Sequence, residues 1–169
     1  MLRGKAFKFG DNISTDHIVP GRLLYLRSNL PELARHVLED ADPTFAQRVK
    51  KGDFVIGGKN FGLGSSREHA PLVIKMSGVS AVLAKSVARI FFRNAINVGL
   101  PVLMCDTDSI NDGDELEVDL KTGKISNLIT GLELHFSRMP EIMLRILNEG
   151  GLIPYIKKHK EFIINPMEE

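Results

Sequence analysis

Gly57-Gly58-Lys59-Asn60-Phe61-Gly62-Leu63-Gly64-Ser65-Ser66-Arg67-Glu68-His69-Ala70 is the stretch whose reading decides the fold. An apolar run, Phe54-Val55-Ile56, leads into it and a helix-like pattern leaves it, so it joins a strand to a helix. Glycine lets the main chain take positive φ and approach a ligand closely. A following helix N-terminus offers unpaired N–H groups and a positive dipole end, which favours an anion. Ser65-x-x-Glu68 also has the spacing of a capping box, in which serine and glutamate satisfy opposite orphan N–H groups. Capping accounts for one serine and one glutamate but not for four glycines or for Arg67. An arginine near the positive end of a helix is unfavourable unless an anion is shared, and its planar guanidinium suits a carboxylate. The stretch reads as an anion site.

Working outward, Ala6-Phe7-Lys8-Phe9 alternates as a strand, and Gly10-Asp11-Asn12 breaks it. Ile13 to Pro20 follows as a polar loop in which Ser14, Thr15, Asp16 and His17 are consecutive. A Ser/Thr- or Asx-capped turn explains that composition as readily as a site does. Asn29 reads as a cap with Pro31 in the first turn of a helix continuing to Leu38. Residues 40–52 read as a connection with one helical turn. Beyond the opening stretch, Ala70–Met76 reads as a helix with Pro71 in its first turn, where a missing N–H is tolerated. Val79–Ala84 reads as a strand, Val87–Val98 as a helix ended by Gly99, and Leu100–Met104 as a buried strand. This alternation predicts an α/β fold with parallel strands.

The C-terminal third changes character. Leu116–Leu120 alternates, and Lys121-Thr122-Gly123-Lys124 reads as a hairpin connection. A last helix is expected from Met139-Pro140-Glu141 to Gly150-Gly151. The polar tail from Tyr155 is expected to be loosely held from about residue 156. No repeat or linker divides the 169 residues, which predicts one domain over 1–169.

Composition removes several function classes. Apolar residues make up 43% and charged residues 25%, against intrinsic disorder. The net charge of +1, without a basic block, gives nucleic acid no electrostatic footprint. No apolar run has transmembrane length and no signal-peptide pattern occurs, so a cytoplasmic location without membrane association is expected. The five histidines are scattered, and no HExxH, paired-cysteine or G-x-S-x-G motif occurs, so no metal is expected on this chain. Cys105 is the single cysteine; it cannot by itself hold an iron–sulfur cluster or form an internal disulfide. It reads as a partly buried strand-end residue, with an intermolecular disulfide less favoured in a reducing cytosol.

Gly64-Ser65-Ser66-Arg67-Glu68-His69-Ala70 resembles the active-site motif of the aconitase superfamily's swivelling domain. Ser14-Thr15-Asp16-His17-Ile18 resembles its N-terminal active-site loop, and Ala88-Arg89-Ile90-Phe91-Phe92-Arg93-Asn94-Ala95 a segment of its small subunits. The resemblance runs over roughly residues 2–155, with the motifs in the family's order. It is nearest to the small subunits of 3-isopropylmalate dehydratase and homoaconitase, in which the swivelling domain is a separate polypeptide.

That resemblance implies a β/β/α-layered fold with a mainly parallel central sheet plus a C-terminal hairpin. It implies a hydro-lyase active only with a large subunit, on which the [4Fe–4S] cluster is expected; none is expected on this chain. Ser65 would be the catalytic base, acting as an alkoxide. Arg67 would bind a substrate carboxylate with Ser66 beside it, and Thr15 and Asp16 would support the substrate and its hydroxyl. Arg27 lies where the family distinguishes substrates, and an arginine there suits a second carboxylate. The substrate would be a 2-hydroxy di- or tricarboxylate: isopropylmalate first, with homoaconitate or dual specificity as the alternative. Self-association of the isolated chain stays open. Two rivals compete with this reading: a stand-alone module binding an anionic metabolite without catalysis, and an RNA-binding role, which the near-neutral charge and low aromatic content disfavour.

Overall fold

A computed structural model describes residues 1–160. In chain order, β1 (Leu2–Lys8) is followed by a short helix α1 (Thr15–Ile18) and a 3-10 segment (Gly21–Ser28). Next come α2 (Leu30–Ala34), α3 (Phe45–Arg48), β2 (Phe54–Ile56), α4 (His69–Met76), β3 (Ala81–Ala84), α5 (Arg89–Val98) and β4 (Val102–Met104). The chain continues with β5 (Glu115–Asp119), β6 (Lys124–Asn127), β7 (Glu133–His135), α6 (Glu141–Asn148) and α7 (Leu152–His159).

The seven strands form one mixed sheet in the order β4-β3-β2-β1-β5-β6-β7. β1 is the hinge of the arrangement: it pairs parallel with β2 (Ala6↔Phe54) and antiparallel with β5 (Leu2↔Val118). The expected parallel unit is therefore β1 to β4, and the expected hairpin, β5 and β6, gains a third strand, β7, that lacks a clear alternation in the sequence. β2 and β3 are apolar at every position and buried on both faces, as central parallel strands require. β5 and β6 alternate buried and half-buried residues.

Alternation along the parallel strands divides the core in two. Val55 and Val82 join Phe45, Val73, Ile74 and Phe91 on the helical side. Phe54, Ile56, Ala81 and Leu83 point the other way and pack with Leu116, Val118 and Ile125 of the antiparallel half. The antiparallel half thus covers the second face of the parallel half, giving the β/β/α layering. Lys75 of α4 ties the helical layer together, its Nζ donating to Val98 O (2.8 Å) at the end of α5 and to Gly150 O (3.0 Å) beyond α6.

Three expectations need correcting. The helix from Leu30 stops at Ala34; tighter turns follow, and Leu38 sits at φ 57°. No capping box forms at Ser65, because α4 begins at His69 and the Glu68 side chain caps nothing. Pro71 dictates this: a helix capped by Ser65 would place Pro71 in its interior, where the ring and the missing N–H break it. Starting at His69 puts Pro71 third, in the first turn. The chain from Tyr155 is also not loose within the described residues, since Tyr155 is fully buried in α7 against Ile96, Ile146 and Leu147. The rest of the expected tail, residues 161–169, lies outside the described residues.

Tyr155→Ala is expected to lower stability by about 3 kcal/mol or more, as for a large buried aromatic. It should appear as a lower urea midpoint at unchanged m-value. A loss below ~1 kcal/mol would remove α7 from the cooperative core.

Candidate active site

Because β1, β2 and β3 run parallel, the chain leaves all three at the same end of the sheet. The loops after β1 (9–14), β2 (57–68) and β3 (85–88) meet there, outside the strands' carboxyl ends, where α/β sheets ordinarily place ligand sites. This brings the three sequence motifs together although they are about 50 and 25 residues apart.

The loops are joined by main-chain hydrogen bonds. Asn12 N donates to Lys59 O (2.8 Å), Gly62 N to Ile13 O (2.7 Å) and Thr15 N to Leu63 O (2.8 Å). On the other side Phe61 N donates to Ser86 O (3.0 Å) and Ala88 N to Phe61 O (2.9 Å). Such close approach explains the glycines better than anion binding does. A Cβ on Gly58 would lie 1.9 Å from Asp11 Oδ1, and one on Gly62 would lie 2.2 Å from the Phe91 ring, itself edge-on to Phe61. Only the last glycine, Gly64, lies against the expected site residues.

Ser65 and Ser66 follow Gly64 on an exposed turn in which Arg67 N bonds Ser65 O (2.7 Å). Among the described residues, the hydroxyls and main-chain N–H groups of both serines have no partner. They are open to an incoming group. Arg67 is mostly buried, with 16% of its side chain exposed. One guanidinium nitrogen, Nη1, donates to Val19 O (2.7 Å) and pairs with Asp16 Oδ1. Asp16 is the anion that makes an arginine tolerable before α4. Nε and Nη2 have no hydrogen-bond or ion-pair partner among the described residues, so one guanidinium edge keeps the geometry that suits a carboxylate.

α1 carries Thr15 and Asp16 and is built by a capping box. The Ser14 hydroxyl accepts from His17 N (3.2 Å), while Ser14 N donates to His17 Nδ1 (2.9 Å). The capped-turn reading of this loop holds, and so does the meeting with Arg67; the two are compatible because Ser14 and His17 cap while Thr15 and Asp16 face the glycine loop. His17 escaped the sequence reading because the box expects Glu or Gln at that position. Arg27 stands apart. It is exposed in the 3-10 segment and contacts none of the other site residues through a hydrogen bond or ion pair. An apolar groove of about 720 Å³ opens elsewhere, between α5 and α6, lined by Phe92, Ile96, Met143 and Ile146 with Arg89 and Arg93 on it. It holds no group able to act as an acid or base near neutral pH.

Residues 31–107 match the aconitase C-terminal domain, which defines the class of fold and includes Ser65, Ser66 and Arg67. The chain is 65% identical to 3-isopropylmalate dehydratase small subunit 2 of Archaeoglobus fulgidus, over 95% of this chain and 98% of that one. It is 54% identical to the isopropylmalate/citramalate isomerase small subunit of Methanocaldococcus jannaschii, over 94% and 95%. The crystal structure of 3-isopropylmalate dehydratase from the latter organism superimposes with a TM-score of 0.90 at 45% identity, covering 94% and 95%. The chain belongs to the 3-isopropylmalate dehydratase small-subunit family.

Cys105 lies in the second core layer, 9% exposed, and burial with some help from Asp106 pushes its thiol up to about 12. The neutral thiol favours the fold at ordinary pH; this contribution is lost as pH rises from about 9, where the unfolded thiol ionises, towards about 12. At pH 8 the native chain is therefore expected to react with a thiol reagent on the order of 10³-fold more slowly than the urea-unfolded chain. Comparable rates would place Cys105 at the surface.

Proposed function

We propose that the chain is the serine-bearing small subunit of a hydro-lyase that interconverts 2-isopropylmalate and 3-isopropylmalate through their dehydrated intermediate, a step of leucine biosynthesis. It acts as one swivelling unit, active only with a large subunit. The observation that carries the reading is the pairing of an open Ser65-Ser66 turn with an Arg67 held on one edge and free on the other. The identity to named small subunits over nearly the whole chain supports the reaction.

In this reading Arg67 binds a substrate carboxylate through Nε and Nη2, and the Ser66 hydroxyl donates to the same group. Asp16 holds the guanidinium in place. Ser65, ionised, takes the proton from the carbon beside a carboxylate as hydroxide leaves the neighbouring carbon, giving the alkene, the neutral Ser65 hydroxyl and hydroxide. Re-addition in the opposite sense returns the Ser65 proton to the carbon that bore the hydroxyl and puts hydroxide on its neighbour. A serine is a weak base at neutral pH, so the free N–H groups of the turn and the arginine must favour its alkoxide.

The family's [4Fe–4S] cluster would supply a Lewis acid for the leaving hydroxyl, and this chain's residues do not fit it. Cys105 is buried in the core with a raised pKa, and no group of three or more His, Cys, Asp or Glu side chains among the described residues is arranged for a metal. The large subunit is proposed to bring it. No helix among the described residues is long and apolar enough to cross a membrane, which fits the cytoplasmic role expected of a biosynthetic enzyme.

Citramalate is the second substrate to consider, because one relative is named for both activities. A panel of 2-isopropylmalate, citramalate and homoaconitate-type acids, tested on the chain with its large subunit, decides the question. Activity on isopropylmalate is expected to dominate; no hydration or dehydration of any malate-type acid would leave a non-catalytic binding module.

Ser65→Ala should lower kcat by roughly 10²–10⁴-fold, the range for a general base. Stability should stay within about 0.5 kcal/mol, because Ser65 is exposed and caps nothing. A loss of stability with kcat preserved would reverse the assignment. Arg27→Val, at an exposed position with no hydrogen-bond or ion-pair partner among the described residues, should raise the kcat/KM ratio of isopropylmalate over acids with an additional carboxylate. An unchanged ratio would take Arg27 out of substrate selection.

A further inference from the structure

Thr15 carries a buried hydroxyl with no hydrogen-bond partner among the described residues: the residue is 2% exposed, and its Oγ1 is unpaired there. An unsatisfied buried hydroxyl costs about 1–3 kcal/mol, and valine would fill the same volume without that cost. The main chain around it is tightly fixed. Thr15 N donates to Leu63 O (2.8 Å), Val19 N donates to Thr15 O (2.9 Å), and the Ser14–His17 capping box holds the turn. Its position is specific too, for Oγ1 lies against Gly64: a Cβ built there would be 3.1 Å away. Gly64, at φ 107°, is the pivot from which the exposed Ser65-Ser66 turn departs.

We infer that Thr15 is the positioning residue for Ser65, its hydroxyl donating to the Ser65 oxygen once the turn has closed on substrate. This rests on the reading of Ser65 as the base. Rotation about Gly64 swings Ser65 towards Thr15, and the hydroxyl that is unpaired in the open turn gains its partner. A hydrogen bond from a neutral donor favours the ionised form of its acceptor, so the contact lowers the pKa of Ser65. It also sets the direction of the oxygen, as a buried hydroxyl anchored on fixed main chain can. Thr15 therefore serves the proton transfer and not the substrate, a narrower role than the substrate-supporting one its motif implies.

The test compares Thr15→Val, Thr15→Ser, Ser65→Ala and the Thr15→Val/Ser65→Ala double variant in the enzyme reconstituted with its large subunit. Thr15→Val should lower kcat about 10- to 100-fold, with KM for 2-isopropylmalate within about two-fold. The pH at which kcat rises should move upward, because the alkoxide is harder to form. The Tm of Thr15→Val should stay level or rise, since an unpaired polar group has been removed. Thr15→Ser should recover most of kcat, and the double variant should be no slower than Ser65→Ala. Wild-type kcat in Thr15→Val would overturn the inference. So would a joint fall of kcat and Tm that Thr15→Ser does not rescue, which is the signature of packing alone. Should Ser65→Ala itself retain activity, the base assignment fails; an inactive Ser65→Ala beside a fully active Thr15→Val defeats only the role of Thr15.

Discussion

Everything at the candidate site depends on how closely three loop backbones approach one another at the carboxyl end of the parallel strands. Hydrogen bonds from Gly62, Thr15, Phe61 and Ala88 join the loop after β2 to those after β1 and β3. Three loops of ordinary residues could not be joined in this way, because side chains would hold them apart. Gly58 and Gly62 remove that obstacle at Asp11 and at Phe91, where an added Cβ would collide. The benefit is rigidity: every main-chain bond made here fixes the platform from which Ser65 and Ser66 project. Main-chain groups of the platform bond one another, while the hydroxyls and N–H groups of Ser65 and Ser66 have no partner among the described residues.

Electrostatics divides the arginine in the same manner. Arg67 stands just before α4, where the helix dipole opposes a positive charge. Asp16 relieves that conflict from the neighbouring loop, and Val19 O fixes the same nitrogen. Since 62% of the Asp16 side chain is exposed, water screens the pair, and such pairs contribute about 1 kcal/mol or less. The ion pair is thus weak enough to coexist with a second carboxylate yet well enough placed to orient the free guanidinium edge. On the proposed reading, binding a substrate carboxylate there would cost little reorganisation, because the arginine has already lost rotamer freedom to Asp16 and Val19 O.

Local chemistry made much of this visible in the sequence. Asn29 and Pro31 start α2, Gly99 ends α5 in a left-handed turn, and Gly123 turns the hairpin. Strand–helix alternation gave the parallel half of the sheet. The resemblance of three motifs placed Thr15, Asp16, Ser65 and Arg67, and the structure brings their loops together. What stayed hidden has identifiable causes. Ser65-x-x-Glu68 has the spacing of a capping box, yet Pro71 six residues on is incompatible with one; the two signals conflict, and the proline wins because its restraint is covalent. Ser14 and His17 form the real box with a residue type that the rule does not anticipate. Glu133–His135 is a strand only because β6 offers it an edge, and Tyr155 belongs to the core only because α5 and α6 present an apolar face. Tertiary partners decide such cases, and a local pattern cannot contain them.

The contrast between the two reactive residue types explains why the chain is half of a catalyst. Cys105, the only thiol, is enclosed in the core and kept neutral. Ser65, proposed as the base, is exposed on a turn in which the main-chain N–H groups of Ser65 and Ser66 have no partner among the described residues. In open water those groups would do little for an alkoxide, because solvent competes for them and screens their charge. Enclosed against a second protein surface, the same N–H groups and the same guanidinium act across a lower dielectric, where each is worth several times more. The serine base proposed above is therefore expected to form only in the assembled enzyme. On the reading proposed above, substrate turnover by the isolated chain is not expected, and the exposure of the serine turn is the structural counterpart of its dependence on a large subunit.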